Sequence, residues 1–343
     1  MEDDSLSSAS QTARAMYFTA PRTVEVRTID IRPPASFQDN ETQLVQSRLA
    51  AVSHGSELLF FRDEMPSRIE GETITALGNT GRYPLCYGYM NVGVTSDRRR
   101  VFAFQPHQDR FWATAEQLIE LPDAVSDDDA VLLPSVETAL SVVHDAAPLV
   151  GETVAVFGQG VIGLLVSEVL KRAGVVEVVS VDPLEQRRAC SRKLGCMSFT
   201  PADSALTEAI LDLTKGRGAD IAINTSASQA ALQHAINLTA LHGTVVEASW
   251  YGRKPVELTL GEAFHRRRLT LKSSQVSRVD PRLGDRWSKQ RRLETALRLC
   301  GELRPGKYIS HRYPLEQAQQ AFELLDNHPQ QVLQIVLHME RKE

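Results

Sequence analysis

Residues 153–163 read TVAVFGQGVIG, an apolar run that leads directly into the spacing Gly158-x-Gly160-x-x-Gly163. The apolar run predicts a buried strand, and the residues after Gly160 predict a helix. Between them, Gly158 permits a tight turn, Gly160 lets backbone approach a pyrophosphate, and Gly163 lets the helix pack closely on the strand. Together, the strand, the turn and the helix predict a dinucleotide-binding site.

The residues after this turn indicate which dinucleotide is bound. Val161 and Ile162 begin the helix, where N–H groups without helical partners and the positive end of the helix dipole favour phosphate. Residues 176–181 predict the next strand, which ends at Asp182. A carboxylate there can accept the adenosine ribose hydroxyls and would repel a 2′-phosphate. Arg187, on the following helix, could serve a phosphate, but the aspartate favours NAD over NADP as the cofactor.

Strands and helical patterns alternate from residue 144 to residue 287, which predicts a Rossmann domain, a doubly wound parallel sheet covered by helices. Open α/β sheets of this kind bind ligands outside the carboxyl ends of their strands. Ser249 follows one predicted strand, and Ser274 follows the last one. We therefore expect both serines to lie on the cofactor side of the sheet.

The first third of the chain has a different character. Its short strands are separated by Gly and Pro, which predicts a barrel-like or sandwich β domain. Residues 1–14 are mostly polar and rich in Ser, and we expect them to be disordered.

The overall composition limits the possible function classes. The chain has 343 residues, of which 42% are apolar and 24% charged, as in a globular protein of two domains. A net charge of −5 argues against nucleic acid as a partner. The longest apolar runs have only strand length, so no membrane span is expected. The four cysteines have spacings that suit no metal site, and no export signal is recognisable, so we expect reduced thiols and a cytoplasmic location.

Four further segments carry a resemblance to a known family. They are VSHGSE at residues 52–57, PLCYGYM at 84–90, VETAL at 136–140 and GTVV at 243–246. With them, nearly the whole chain resembles the medium-chain dehydrogenase/reductase superfamily, in particular its zinc-type alcohol and polyol dehydrogenase branch.

The resemblance implies an α/β fold of two domains. Residues 15–143 and 288–343 would form a GroES-like β-barrel catalytic domain, and residues 144–287 the Rossmann domain. The active site would lie in the cleft between the two domains. Members of the family commonly dimerise through an edge strand of the cofactor domain, which corresponds here to residues 269–272, so we expect a homodimer.

The zinc ligands of the family are mostly replaced in this chain. The position of the family's ligand Cys is His54, and the positions of its ligand His and Glu are Tyr89 and Met90. Only a later acid is kept, as Glu137, while Glu57 matches an acid that orients a neighbouring group. Because a thioether is a poor zinc ligand and a phenol an uncommon one, we predict that no metal is bound.

Without zinc, a side chain must polarise the carbonyl group and move the proton. Ser56 matches the family's hydroxyl relay, and Tyr89 and His54 occupy the positions of lost ligands; with Glu137 they are the candidate catalytic residues, and His107 is a weaker one. Structural alternatives remain open. Tyr89 could fill the space left by zinc, His54 could bind backbone at a turn, and Glu137 could pair with a nearby arginine.

The leading hypothesis is an NAD-dependent oxidoreductase that interconverts a secondary alcohol and a ketone, acting on a small polyol-like molecule or a biosynthetic intermediate. A zinc-free reductase of enones or quinones, using NAD(P)H, is the second hypothesis. A non-catalytic protein that only binds the cofactor is the third, because three ligand positions have changed. Turnover of NADH with a panel of ketones would separate them.

Overall fold

The computed structural model of the protein describes residues 11–33, 42–66 and 82–339. In chain order, its strands are β1 (Gln11–Ala20), β2 (Thr23–Ile31), β3 (Thr42–Ala51), β4 (Leu85–Cys86), β5 (Asn91–Thr95), β6 (Arg100–Ala103), β7 (Arg110–Thr114), β8 (Ile119–Glu120), β9 (Thr153–Phe157), β10 (Glu177–Val181), β11 (Met197–Phe199), β12 (Ala219–Asn224), β13 (Thr239–Glu247), β14 (Thr270–Ser273), β15 (His311–Pro314) and β16 (Ile335–His338). Its α-helices are α1 (His54–Phe61), α2 (Asp127–Ala130), α3 (Leu133–Ala146), α4 (Val161–Arg172), α5 (Glu185–Lys193), α6 (Ala205–Leu213), α7 (Gln229–Leu238), α8 (Ala263–Arg266), α9 (Lys289–Leu303) and α10 (Ala318–Asn327).

The chain divides into two compact units. The first unit contains the residues up to 132 and those from 309 onward, and the second unit contains residues 133–308. Among the described residues, no helix is both long enough and apolar enough to cross a bilayer.

The first unit is built from two β-sheets. Strands β2, β1 and β4 form a small antiparallel sheet, and a larger sheet has the order β15-β16-β3-β5-β6-β8, with β7 also paired to β3. Phe18 of β1 and Phe61 of α1 are both buried against Phe322 of α10, with ring centroids 5.2 and 5.4 Å from that ring. The last part of the chain therefore completes the hydrophobic core that the first strands begin.

The second unit contains a six-stranded parallel sheet of order β11-β10-β9-β12-β13-β14. This is the doubly wound order, in which the chain reverses direction across the sheet between β9 and β12. All five residues of β9 are buried, as expected of a central strand covered on both faces. The predicted α/β fold class is confirmed.

The two units have different boundaries from the domains predicted from the sequence, 15–143 with 288–343 and 144–287. Helices α3 and α9 lie on either side of the predicted 144–287 domain, yet they pack against each other, and α3 packs against α4. Buried Arg292 of α9 donates from Nε to Glu137 Oε1 of α3 over 3.0 Å. This contact and the packing around it hold both helices in the second unit.

The predicted disorder over residues 1–14 is also corrected in part. Residues 11–14 belong to β1, and residues 1–10 lie outside the described residues. Arg14 explains the order, because its Nε donates to Asp109 Oδ2 over 2.7 Å and its backbone N–H donates to Oδ1 over 2.8 Å. A partner 95 residues away in the sequence could not be inferred from the local composition.

Candidate active site and cofactor site

The glycine-rich turn connects β9 to α4. Gly158 has φ of +90°, in the region that favours glycine, and Thr225 Oγ1 donates to its carbonyl over 3.0 Å. A Cβ on Gly163 would lie 1.9 Å from the carbonyl oxygen of Gly158, so helix and turn are in direct backbone contact there. A Cβ on Gly160 would meet nothing nearer than Arg187 Nη1, at 4.0 Å. The space in front of Gly160 is thus open, which fits a pyrophosphate at the start of α4.

Asp182 lies directly after β10 and is only 1% exposed. Its Oδ2 accepts the backbone N–H of Gln159 over 2.7 Å, and its Oδ1 accepts that of Leu184 over 2.8 Å. Arg187 Nη1 lies 3.9 Å from Oδ2. The carboxylate therefore fastens the glycine-rich turn to the end of β10, and a contact between it and the ribose hydroxyls stays a prediction.

The two predicted serines lie beyond the carboxyl ends of β13 and β14 and are bonded within the second unit. Ser249 Oγ accepts the backbone N–H of Ala227 over 2.9 Å, and Ser274 Oγ donates to Asp145 Oδ2 over 2.6 Å. Both hydroxyls shape the loops on the cofactor side of the sheet, and a cofactor contact from either one stays a prediction.

A polar cluster that was not predicted from the sequence lies at the same edge of the sheet. Asn224 and Glu247 are the last residues of β12 and β13 and are paired in register. Asn224 Nδ2 donates to Glu247 Oε2 over 2.7 Å, and the Tyr251 hydroxyl donates to the same oxygen over 3.0 Å. Burial raises the pKa of Glu247, while these hydrogen bonds oppose the rise. Polar residues ending two predicted strands were the signal that could have found the cluster.

A second cluster, in the first unit, joins three hydroxyl groups at the start of α1. The Tyr89 hydroxyl donates to Ser53 Oγ over 2.5 Å, Ser53 Oγ lies 2.9 Å from Ser56 Oγ, and Ser56 Oγ lies 3.3 Å from the Tyr89 hydroxyl. Each hydroxyl has one proton to donate, so the three bonds can close a ring in which each group donates once. Ser53 was missed, although a residue just before a helix and one three positions later lie on the same side.

Next to these hydroxyls lies a buried pair of ionisable groups. Glu57 and His107 are both completely buried, and His107 Nε2 lies 2.8 Å from Glu57 Oε2. The other carboxylate oxygen accepts the backbone N–H of Ser53 over 2.8 Å. His107, the weaker candidate, is therefore hydrogen-bonded to an acid and not exposed to solvent. Glu57 connects it to Ser53, whose hydroxyl accepts a hydrogen bond from Tyr89.

The environment of Tyr89 keeps its hydroxyl protonated. Burial raises the pKa of Tyr89 above its ordinary value, and the charge on Glu57 adds to the rise, while the hydrogen bonds with Ser53 and Ser56 oppose it. Burial likewise raises the pKa of neighbouring Tyr87, whose ring centroid is 6.1 Å from that of Tyr89. Near neutral pH, both phenols are therefore hydrogen-bond and proton donors.

The side chains at the ligand positions do not suit a catalytic zinc. The Tyr89 hydroxyl is bonded to two serines, and Met90, a weak thioether donor, is 2% exposed. His54 is the half-buried first residue of α1. In the part of the chain that the structure describes, no three His, Cys, Asp or Glu side chains are grouped so that they could hold a metal ion.

Glu137 lies in the second unit, within a structural ion pair. Arg292 is 3% exposed, and besides Glu137 it binds Ser141 Oγ at 3.3 Å and the carbonyl oxygen of Arg278 at 2.9 Å. Burial raises the pKa of Glu137, and the charge of Arg292 opposes the rise. This geometry matches the alternative in which the acid partners an arginine.

The doubly wound sheet, the glycine-rich turn and the open start of α4 define the second unit as a dinucleotide-binding Rossmann fold. Comparison with known proteins then shows what the chain is similar to. A family model described as zinc-binding dehydrogenase matches residues 161–299. The D-guloside 3-dehydrogenase of Escherichia coli (strain K12) is 27% identical over 287 residues, which cover 82% of this chain and 78% of that protein.

Two solved structures share the fold over 96% of this chain, each with a TM-score of 0.76. They are the 2R,3R-butanediol dehydrogenase from Bacillus subtilis, 18% identical and matched over 100% of its length, and an alcohol dehydrogenase from E. coli CFT073 in complex with NADH, 17% identical and matched over 99%. The family model, the relative and the shared fold support the expected resemblance to the medium-chain dehydrogenase/reductase superfamily.

The glycine-rich turn allows a matched pair of substitutions. Gly163→Ala forces a Cβ against the Gly158 carbonyl, so we expect the free energy of unfolding to fall by about 1–3 kcal/mol. Gly160→Ala has room within the protein and should change stability by less than about 0.5 kcal/mol, yet weaken NADH binding. Thermal melts and NADH fluorescence titrations measure the two effects. Equal destabilisation by both substitutions would contradict this account of the turn.

The side chains of His54, Tyr89 and Met90, at the positions of the family's zinc ligands, lead to a prediction about metal content. Elemental analysis of purified protein should find well under one zinc per chain, because phenol and thioether groups stand where strong ligands are needed. Chelators should leave activity unchanged. A stoichiometric zinc that survives dialysis would show that the ligand positions were misassigned.

Proposed function

We propose that this protein interconverts a secondary alcohol and a ketone by hydride transfer with NAD, without catalytic zinc. The observation that carries the proposal is the hydroxyl cluster of Tyr89, Ser53 and Ser56, which offers a proton donor where relatives would hold a metal. D-guloside 3-dehydrogenase and butanediol dehydrogenase are names of enzymes that oxidise secondary alcohols, and they support a small, hydroxyl-rich substrate.

In this proposal, a bound dinucleotide supplies the hydride that reaches the carbonyl carbon. Tyr89 hydrogen-bonds the carbonyl oxygen and gives it the phenolic proton, so that the alcohol leaves neutral. Ser53 and Ser56 stabilise the phenolate until a proton returns along the hydroxyls. Oxidation uses the same groups in reverse. His54, the first residue of α1, is the second candidate for the proton step, and Glu137 serves structure through Arg292.

We propose NAD as the cofactor because Asp182 is a buried carboxylate at the end of β10. Two backbone N–H groups stabilise its negative charge, which opposes the approach of a 2′-phosphate. Arg187, at 3.9 Å, compensates part of that charge and is available to the pyrophosphate or ribose. Val161 and Ile162 offer their N–H groups at the start of α4, and Ser249 and Ser274 remain proposed contacts.

We further propose that two copies of the chain associate through β14. This strand ends the order of the parallel sheet, and its Leu271 is 39% exposed. An edge strand with unpaired N–H and carbonyl groups is stabilised when a second copy pairs with it. The four cysteines are free thiols, which supports a reducing compartment such as the cytoplasm as the place of the reaction.

Tyr89→Phe tests the proton step directly. The substitution removes one hydroxyl from the cluster, and we expect single-turnover hydride transfer to slow by about a hundred- to ten-thousand-fold, while NADH affinity stays the same. Tyr17→Phe, which removes a hydroxyl from β1 of the same unit, is the matched control and should retain activity. If Tyr89→Phe keeps more than about a third of the rate, Tyr89 only fills space, and His54 becomes the better candidate.

Asp182→Asn tests the cofactor proposal. Loss of the carboxylate charge should weaken NADH binding by about 1.5–3 kcal/mol and favour NADPH relative to NADH. Because Asp182 also holds the turn through Gln159, damage to the turn would affect both dinucleotides. The ratio of the two dissociation constants is therefore the measurement. A wild-type protein that already binds NADPH about tenfold more tightly than NADH would refute the assignment.

A further inference from the structure

The polar cluster of Asn224, Glu247 and Tyr251 has no role in the function as proposed so far. Asn224 and Glu247 end β12 and β13, beside the glycine-rich turn. A Cβ on Gly158 would meet Ser226 Cβ at 2.9 Å, and Ser226 Oγ donates to Asn224 Oδ1 over 2.7 Å. The cluster and the turn are therefore neighbours at the same edge of the parallel sheet.

The order of the strands indicates which half of a dinucleotide the cluster would face. Asp182 follows β10 on one side of β9, whereas the cluster ends β12 and β13 on the other side. A dinucleotide in this fold lies across the carboxyl ends of the strands, with its pyrophosphate at the glycine-rich turn. With the adenosine ribose proposed at Asp182, the nicotinamide half extends over β12 and β13. The inference therefore rests on the function proposed above.

The hydrogen bonds of Glu247 favour its ionised form. Oε2 accepts from Asn224 Nδ2 over 2.7 Å and from the Tyr251 hydroxyl over 3.0 Å, and Oε1 accepts the backbone N–H of Ser249 over 2.8 Å. Burial raises the pKa of Glu247, and these donors oppose the rise because they stabilise a carboxylate. All three partners are uncharged, so they leave the negative charge of the carboxylate in place. Glu247 is half-buried, and solvent screens that charge only in part.

We propose that Glu247 selects the oxidised form of the dinucleotide, since its carboxylate lies on the side of the nicotinamide ring, which is cationic in NAD⁺ and neutral in NADH. Opposite charges attract more strongly in a half-buried site than in water. Asn224 and Tyr251 hold the carboxylate in place. The same preference makes hydride donation from the bound cofactor more favourable, because donation produces the form that Glu247 stabilises.

Three variants separate charge from geometry. Glu247→Gln removes the charge and keeps the size of the side chain. Tyr251→Phe removes one hydrogen bond from the same carboxylate oxygen and leaves the charge, so it is the matched control. Tyr251→Lys leaves Glu247 in place and puts an ammonium group beside it.

The measurement is the dissociation constant of three ligands for each variant. NADH is titrated by its fluorescence, and NAD⁺ and ADP-ribose, which has no nicotinamide ring, are titrated by competition with NADH. In Glu247→Gln, we expect the NAD⁺ constant to rise about tenfold, as loss of one nearby charge would produce, while the constants of NADH and ADP-ribose do not rise. Tyr251→Phe should keep the ratio of the NAD⁺ and NADH constants within about twofold, and Tyr251→Lys should raise it by about tenfold.

Equal weakening of all three ligands in Glu247→Gln would show that Glu247 only shapes the loop after β13, and an unchanged ratio would show that its charge does not reach the ring. Either result would overturn the inference. If Glu247→Gln does not fold, Tyr251→Lys decides, and an unchanged ratio there would overturn the inference as well.

The same binding experiment distinguishes this inference from the proposed function. If the ratio shifts as expected but the protein turns over no alcohol or ketone, the selection by Glu247 stands and the proposed function fails. Turnover with an unchanged ratio would do the reverse. A wild-type protein that binds none of the three ligands would refute both.

Discussion

The backbone contact between Gly163 and the Gly158 carbonyl is the constraint on which the cofactor site depends. Any side chain at residue 163 would push α4 away from the turn, since its Cβ would lie 1.9 Å from that oxygen. With the helix this close, the Gly158 carbonyl can also accept Thr225 Oγ1 from the segment after β12. The Gln159 N–H then faces Asp182 at the end of β10. Three neighbouring strands, β9, β10 and β12, are thus tied together at one turn.

The predictability of this region from sequence has a physical reason. The turn, the helix start and Asp182 lie within 30 residues, and each depends on local rules: glycine conformation, hydrophobic periodicity and the end of a strand. The fold class followed from the same alternation. The pairs whose partners sequence reasoning could not name are distant in the chain. Fifty residues separate Glu57 from His107, and 155 separate Glu137 from Arg292. The domain boundaries differed for the same reason, because the packing of α3 against α9 joins segments far apart in sequence.

In the function proposed above, hydroxyl groups of the first unit take the place of a catalytic metal. A zinc ion would stabilise a developing alkoxide with positive charge and would lower the pKa of any bound hydroxyl. The hydroxyls of Tyr89, Ser53 and Ser56 carry no charge, and burial and the neighbouring charge of Glu57 raise the pKa of Tyr89. An alkoxide in such a site is stabilised by hydrogen bonds and by proton transfer alone. The site therefore suits a reaction in which the proton is delivered as the charge develops.

The groups around the two proposed sites differ in charge. In the second unit, the start of α4 and the guanidinium of Arg187 are positive, which suits the proposed binding of an anionic dinucleotide. In the first unit, burial raises the pKa of the Tyr89 phenol, and the charge on Glu57 adds to the rise. In the proposed reduction the phenol must give up its proton, and a nearby negative charge opposes that loss unless the proton passes to the carbonyl oxygen as negative charge develops there. The acidity of this phenol is therefore set by the chain's own side chains, whichever alcohol it binds.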